Sequence, residues 1–237
     1  MSARGGDAHA IGRALIFAAG RGERMRPLTD TTPKPLLRVG GKRLIEYHLE
    51  RLAHARVREV VINTSHLAAQ FADALGDGAR WGLHIHYAYE GPEPLETGGG
   101  MLNALPLLGP GPFIAVNGDI FCDLDFATLP RAPAGLAHLV VVANPPQHAH
   151  GDFVLRDGLL HDETARDGNG QRLTFAGIGV YRAELLDGQT AGRFPITPLL
   201  RAAMRQGRIG GEYYRGRWAD IGTPGRLDEL EASFAIK

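Results

Sequence analysis

Four short strand-like runs, the first three each followed by turn residues and a segment of helical character, dominate the first half of this chain. The runs occupy residues 13–19 (RALIFAA), 59–63 (EVVIN), 84–89 (HIHYAY) and 113–117 (FIAVN). Each is too short for a buried helix; three are apolar enough for a strand covered on both faces, and residues 84–89 alternate. Between them, residues 44–55 place Leu44, Ile45, Leu49 and Leu52 at helical spacing, and residues 67–75 do the same with Ala68, Phe71, Ala72 and Leu75. Thr97 is placed to cap a short helix running to about residue 105, and residues 136–143 form a fifth apolar run. Strands separated by helices pair in parallel, because a tight hairpin has no room for a helix. The expected fold is therefore α/β and Rossmann-like: a mixed, mainly parallel sheet with helices on both faces.

The second half is less regular. Residues 153–155 and 159–161 flank Asp157-Gly158 and read as a hairpin with a two-residue turn. Residues 173–181 read as a strand, and residues 196–206 and 224–234 as helices, the last with Pro224 in its first turn. Residues 13–237 are expected to form one domain, preceded by a polar, glycine-rich tail over residues 1–12.

Composition narrows the function classes. Of 237 residues, 44% are hydrophobic and 22% charged, which is globular. Lys plus Arg equals Asp plus Glu at 26 each, so the basic surplus of a nucleic-acid binder is missing. The single Cys122 excludes an internal disulfide and a multi-cysteine zinc site. No apolar run approaches the roughly 18 residues needed to cross a bilayer, and the first residues lack the apolar core of a signal peptide. No membrane or nucleic-acid partner and a cytoplasmic location are expected; oligomeric state is not legible.

The turn after the first run is unusual. It reads Ala18-Ala19-Gly20-Arg21-Gly22-Glu23-Arg24-Met25-Arg26-Pro27. Gly20 and Gly22 allow close backbone approach to a ligand, and the arginines supply cations, a combination suited to polyphosphate. A lone Gly-x-Gly is more often a surface turn. This one lacks the closing Gly-Lys-Ser/Thr of a Walker A loop and the third glycine of the dinucleotide fingerprint. A few residues later, Pro33 and Pro35 restrict the backbone on both sides of Lys34, which suits a cation aimed at phosphate.

Two aspartates complete the candidates. Asn117-Gly118-Asp119 follows the fourth run, where open α/β sheets bind ligands. Trp218-Ala219-Asp220-Ile221-Gly222-Thr223-Pro224 places a second carboxylate before a helix. Asp123 and Asp125 read as caps or surface charges, and Cys122 as a packing residue. Gly98, Gly99 and Gly100 open a helix, where they could lie against a flat base and offer it N–H donors.

The run LIFAAGRGERMRPLTDTTPKPLL resembles the signature of the sugar-1-phosphate nucleotidyltransferases. That resemblance implies that Ala18, Ala19, Gly20, Gly22, Gly98, Gly99 and Asn117 meet the nucleotide. It implies that Arg24 and Lys34 take the triphosphate and the reacting phosphate, and that Asp119 and Asp220 hold one divalent cation. Magnesium is the default for phosphate chemistry and takes oxygen ligands. Residues 144–153 (NPPQHAHGDF), 174–181 (TFAGIGVY) and 194–200 (FPITPLL) are similar to the N-acetylmuramate-1-phosphate uridylyltransferase branch. This implies UTP and that sugar phosphate as substrates, a role in cell-wall sugar recycling, and sugar contacts from Asn117, Asn144, Asp152 and Gly177. Two positions depart from the branch pattern: Ala143 stands where an acidic residue is expected, and Ala176 where a serine is. The alternatives are a mannose- or glucose-1-phosphate nucleotidyltransferase with another base, and a non-catalytic regulatory relative. The last is disfavoured because Lys34, Asp119 and Asp220 are all present. No hexapeptide repeat of the longer relatives is seen, so a single activity is expected.

Overall fold

The computed structural model describes residues 11–162 and 171–235. The chain runs β1 (Arg13–Phe17), α1 (Leu28–Thr31), β2 (Arg38–Val39), β3 (Lys42–Arg43), α2 (Leu44–His54), β4 (Glu59–Thr64), α3 (Ala69–Leu75) and β5 (His84–Tyr89). It continues through α4 (Glu96–Leu108), β6 (Phe113–Asn117), β7 (Ile120–Cys122), β8 (Ala137–Val142), β9 (Phe153–Arg156) and β10 (Leu159–His161). The last elements are β11 (Arg172–Tyr181), α5 (Thr197–Met204), β12 (Ile209–Tyr213), β13 (Trp218–Asp220) and α6 (Pro224–Ala235).

Nine strands form one sheet in the order β5-β4-β1-β6-β11-β8-β12-β10-β9. β5, β4, β1 and β6 pair in parallel, as the strand–helix alternation requires. β11 inserts between β6 and β8 and runs antiparallel to both, so the sheet is mixed, with its parallel block at β5-β4-β1-β6. β1 shows why these runs are apolar throughout. Ala14 and Ile16 face a core closed by Ile45 and Leu49 of α2 and Phe71 of α3. Leu15 faces the opposite core, closed by Met101 and Ala104 of α4 and Leu200 of α5. Helices thus cover both faces.

The hairpin of β9 and β10 turns on Asp157 and Gly158, both with positive φ, as a primed two-residue turn demands. Gly40 and Gly41 make a similar turn between β2 and β3, and it is missing from the sequence reading. β12 is also absent from that reading, as is a two-stranded ribbon of β7 and β13. Helix α4 differs from expectation too. It extends to Leu108 with Pro106 inside, and Thr97 does not cap it; the Thr97 hydroxyl accepts the Ile196 N–H at 3.1 Å.

No helix among the described residues is long and apolar enough to cross a membrane.

Candidate active site

The carboxyl ends of β1, β4, β5 and β6 open onto one connected depression, as expected of an open α/β sheet. Its largest part is a cavity of about 430 Å³. The β1–α1 loop supplies Ala18, Ala19, Gly20, Gly22 and Arg24 to that wall. Gly22 has φ +66°, and a Cβ there would press on Thr29 and on the Lys34 side chain, so the glycine lets the loop fold down on the lysine. The Thr29 hydroxyl donates to the Gly22 carbonyl at 2.9 Å and pins that fold.

Lys34 is 7% exposed, and its Nζ donates to Asp119 Oδ2 at 2.7 Å. Residues 20–37 contain tight helical turns at Glu23–Met25 and Lys34–Leu36 on either side of α1. The second of these, entered from Pro33, aims the lysine.

Asp119 and Asp220 meet through the β7–β13 ribbon. Asp220 stands opposite Ile120, and the Ile221 N–H donates to the Asp119 carbonyl at 3.1 Å. The ribbon is seated on a small separate core of Met25, Leu44, Tyr47, Phe121, Ile221 and Leu230. Arg226, one turn into α6, donates to Asp220 Oδ2. Arg24, Asn117, Asp119, Asp220 and Arg226 line a second cavity of about 310 Å³, which shares Arg24, Asn117 and Asp119 with the first. Two carboxylates on adjacent strands offer hard oxygen donors, the donor set for a magnesium-like cation. Among the described residues no cluster of three or more potential ligands occurs.

A third cavity of about 190 Å³ lies below, lined by Phe17, Met101, Ala115, Phe175, Tyr181 and Leu200 among others. It is largely apolar. Asn117 borders all three cavities, and Gly177 borders the second and third. Gly177 has φ +75° at the bulge in β11, and a Cβ there would strike the Asn117 amide.

Other expected site residues are employed differently. The N–H groups of Gly98 and Gly99 both donate to the Phe194 carbonyl at 3.0 Å. A Cβ at Gly98 would overlap the Phe194 ring, and one at Gly99 the Gly192 carbonyl, so these glycines let α4 pack against residues 192–194. Asn144 is turned into its own loop. It donates to the carbonyls of Ala149 and Arg172 at 3.1 and 3.0 Å and accepts from Thr174 at 2.9 Å. Asp152 has both oxygens engaged, Oδ1 with His148 Nε2 at 2.9 Å and Oδ2 with the Phe175 N–H at 2.8 Å.

Cys122 packs as expected: it is fully buried, and burial pushes its thiol up to about 11. Asp125 caps the turn at Phe126–Thr128, and Asp123 accepts from the Arg217 N–H at 2.8 Å.

Sequence reasoning missed a partly buried relay in the wall of the first cavity. The Ala18 N–H donates to Asn63 Oδ1 at 2.6 Å, and Asn63 Nδ2 donates to Glu90 Oε1 at 2.6 Å. Glu90 Oε2 accepts the Leu95 N–H at 2.7 Å. Burial raises the Glu90 pKa, opposed by its bonds from Leu95 and Asn63. The available signal was a polar residue at or just past the end of each of two strand-like runs. His48 was missed as well. It is fully buried on α2 with Nε2 2.9 Å from the Ile120 carbonyl, beside Asp119, and burial lowers its pKa to about 4.

The family model described as nucleotidyl transferase matches residues 13–153. The chain is 50% identical over 228 residues to N-acetylmuramate alpha-1-phosphate uridylyltransferase of Neisseria meningitidis serogroup B, covering 93% of this chain and 97% of that one. It is 32% identical to a protein of the same name from Caulobacter vibrioides, covering 94% and 96%. A Bacillus anthracis crystal structure assigned as a glucose-1-phosphate thymidylyltransferase superposes with a TM-score of 0.81 over 95% of this chain and 96% of that one. At 18% identity, that likeness bears on the fold alone. With the family model spanning more than half of its length and a relative matching nearly all of it, the chain belongs to the nucleotidyl transferase family.

Proposed function

We propose that this protein transfers a uridylyl group from UTP to N-acetylmuramate α-1-phosphate, releasing pyrophosphate, in peptidoglycan sugar recycling. The observation that carries this reading is the 50% identity, over nearly both full lengths, to a relative bearing that name. The match to a mannose-1-phosphate guanylyltransferase of Mycobacterium tuberculosis, at 38% identity, covers only 49% of this chain and 32% of that one.

An oxygen of the sugar phosphate attacks the α-phosphorus of the triphosphate in line. The bond to that oxygen forms, the bond to the β-phosphate bridge breaks, and pyrophosphate leaves with its electrons. The attacking phosphate is already ionised at neutral pH, so no general base is needed. The barrier is dominated by repulsion between two anions, and the site must position them and neutralise their charge. Lys34 is assigned to the reacting phosphates, and Arg24 with the backbone around Gly20 and Gly22 to the departing pyrophosphate. Asn117, at the junction of the three cavities, is assigned to orienting both substrates. Asp119 and Asp220 would hold a divalent cation, magnesium by donor chemistry. When bound, that cation supplies charge neutralisation at the phosphate oxygens.

The test is pyrophosphate release across a panel of sugar 1-phosphates and triphosphates. N-acetylmuramate-1-phosphate with UTP is expected to give the highest kcat/KM. Faster turnover of mannose-1-phosphate with GTP would refute the substrate assignment while leaving the family intact.

A further inference from the structure

The sugar named above differs from N-acetylglucosamine in one group, a lactyl ether that places a carboxylate next to the acetamido substituent. A site selective for it must offer a donor to that anion. Among the described residues lining the second cavity, the cationic or donor side chains are Arg24, Asn117, Gln147, His148, Thr174, Trp218 and Arg226. Most are committed. Arg226 is paired with Asp220, the Thr174 hydroxyl donates to Asn144, and the Trp218 indole N–H donates to the Ala176 carbonyl at 2.9 Å. Arg24 also borders the first cavity, on the phosphate side. Asn117 and Gln147 are neutral.

His148 is different. It sits on the turn at Pro146–His148, whose closing bond runs from the His148 N–H to the Pro145 carbonyl at 2.8 Å. Its Nε2 lies 2.9 Å from Asp152, and Asp152 is in turn fixed by the Phe175 N–H of β11. One ring nitrogen is thus anchored to a strand of the sheet, which sets the plane of the imidazole. Its side chain is 45% exposed, enough to be reached by a ligand.

Asp152 and Phe175 also line the third, apolar cavity, and His148 lines the second. The two walls therefore meet at the His148–Asp152 pair. Substituents on adjacent ring carbons need adjacent subsites. The apolar cavity suits the methyl of an acetamido group, and the imidazole beside it suits a carboxylate.

We propose that His148, held in place by Asp152, is the specificity-determining residue that receives the lactyl carboxylate of the sugar phosphate. This rests on the substrate reading given above. In its protonated form the imidazole has a donor on each nitrogen, Nε2–H for Asp152 and Nδ1–H for the ligand carboxylate. Asp152 acts through His148 as a positioning residue rather than as the sugar contact expected from its sequence.

The experiment compares N-acetylmuramate-1-phosphate with N-acetylglucosamine-1-phosphate, each with UTP, in wild type, His148→Ala and His148→Lys. The readout is the ratio of the two kcat/KM values. Wild type is expected to prefer the muramate substrate. In His148→Ala the ratio should fall tenfold or more, and His148→Lys, which keeps a cation there, should recover part of it. A wild-type preference that survives His148→Ala unchanged would overturn the assignment of His148 and leave the reaction standing. A wild type with no preference for the muramate substrate would overturn both.

Discussion

The partly buried relay of Ala18, Asn63, Glu90 and Leu95 has a direction that can be reversed. Asn63 is 3% exposed and gives its oxygen to Ala18 and its amide N–H to Glu90. Glu90 must accept on both sides, because Leu95 also donates to it. In Glu90→Gln the new NH2 meets either the Asn63 amide or the Leu95 N–H, and both are donors. One buried donor is stranded, at about 1–3 kcal/mol. In Asn63→Asp two carboxyls face each other, and one must take a proton. For a carboxyl of ordinary pKa near 4.3 that costs about 3.7 kcal/mol at pH 7. The double variant restores complementarity: the introduced glutamine would accept from Leu95 and donate to the introduced aspartate, which keeps an acceptor for Ala18. Its loss should be below about 1 kcal/mol, well short of the sum of the single changes. Urea denaturation gives the stability cycle, and the KM for UTP gives a second readout, because Ala18 opens the nucleotide loop. Both should recover together in the double variant. Additive losses would show that the relay does not carry the orientation assigned to it.

Three further outcomes follow from the geometry. His48 has its pKa lowered from 6.5 to about 4 by burial, so the folded state favours the neutral ring. Its stabilising contribution is complete above pH 6.5 and is lost as pH falls toward 4, by about 3 kcal/mol at 1.36 kcal/mol per unit; His48→Gln should flatten that part of the urea-derived stability profile, and parallel profiles would contradict it. Asp119→Asn and Asp220→Asn should each cut kcat by about a hundredfold or more with the circular dichroism spectrum retained, in line with loss of a central electrostatic group; near-normal turnover at saturating magnesium would remove the metal role. Lys34→Met should lower kcat by a larger factor than it raises the KM for UTP, whereas an unchanged kcat would reduce Lys34 to uniform binding.

How much of this was readable in the sequence depended on the length of each element. β1, β4, β5 and β6 are five or six residues long, and all but β5 are apolar nearly throughout, so they stood out. The β7–β13 ribbon is three residues on each side, too short for any period to register. Yet that ribbon brings Asp119 and Asp220 together. Their shared role was suggested by motif resemblance, while their proximity depends on Phe121 and Ile221 sinking into a third core. The glycines at 98–100 carried an ambiguous signal, since glycine marks close approach without saying what approaches. At Gly98 and Gly99 it is Phe194 and Gly192, brought from nearly a hundred residues away, and at Gly100 it is the Glu90 and Asn63 side chains. Asp152 and His148 show the same limit: four residues apart in the chain, they form a pair whose meaning comes from Phe175 on β11.

Lys34 and Asp119 allow a separation of stability from activity, because the two partners are unequally buried. Lys34 is wedged beneath Gly22 with its side chain 8% exposed, whereas that of Asp119 is 37% exposed. Removing the carboxylate strands a nearly buried ammonium, and removing the ammonium strands a carboxylate that water can reach. Desolvation of an unpaired charge is the larger penalty where burial is greater. Asp119→Asn should therefore destabilise the protein by roughly 1–3 kcal/mol. Lys34→Met, with an apolar side chain of similar length in the same slot, should stay within about 0.5 kcal/mol of wild type or exceed it, since the desolvated charge is gone. Turnover should nevertheless collapse in both. A stability cost maintained for function is common where a site must hold charge ready for a ligand. The reverse order of stabilities, with Lys34→Met the weaker fold and Asp119→Asn unaffected, would mean that Lys34 is a packing residue and that its place in the proposed chemistry needs another support.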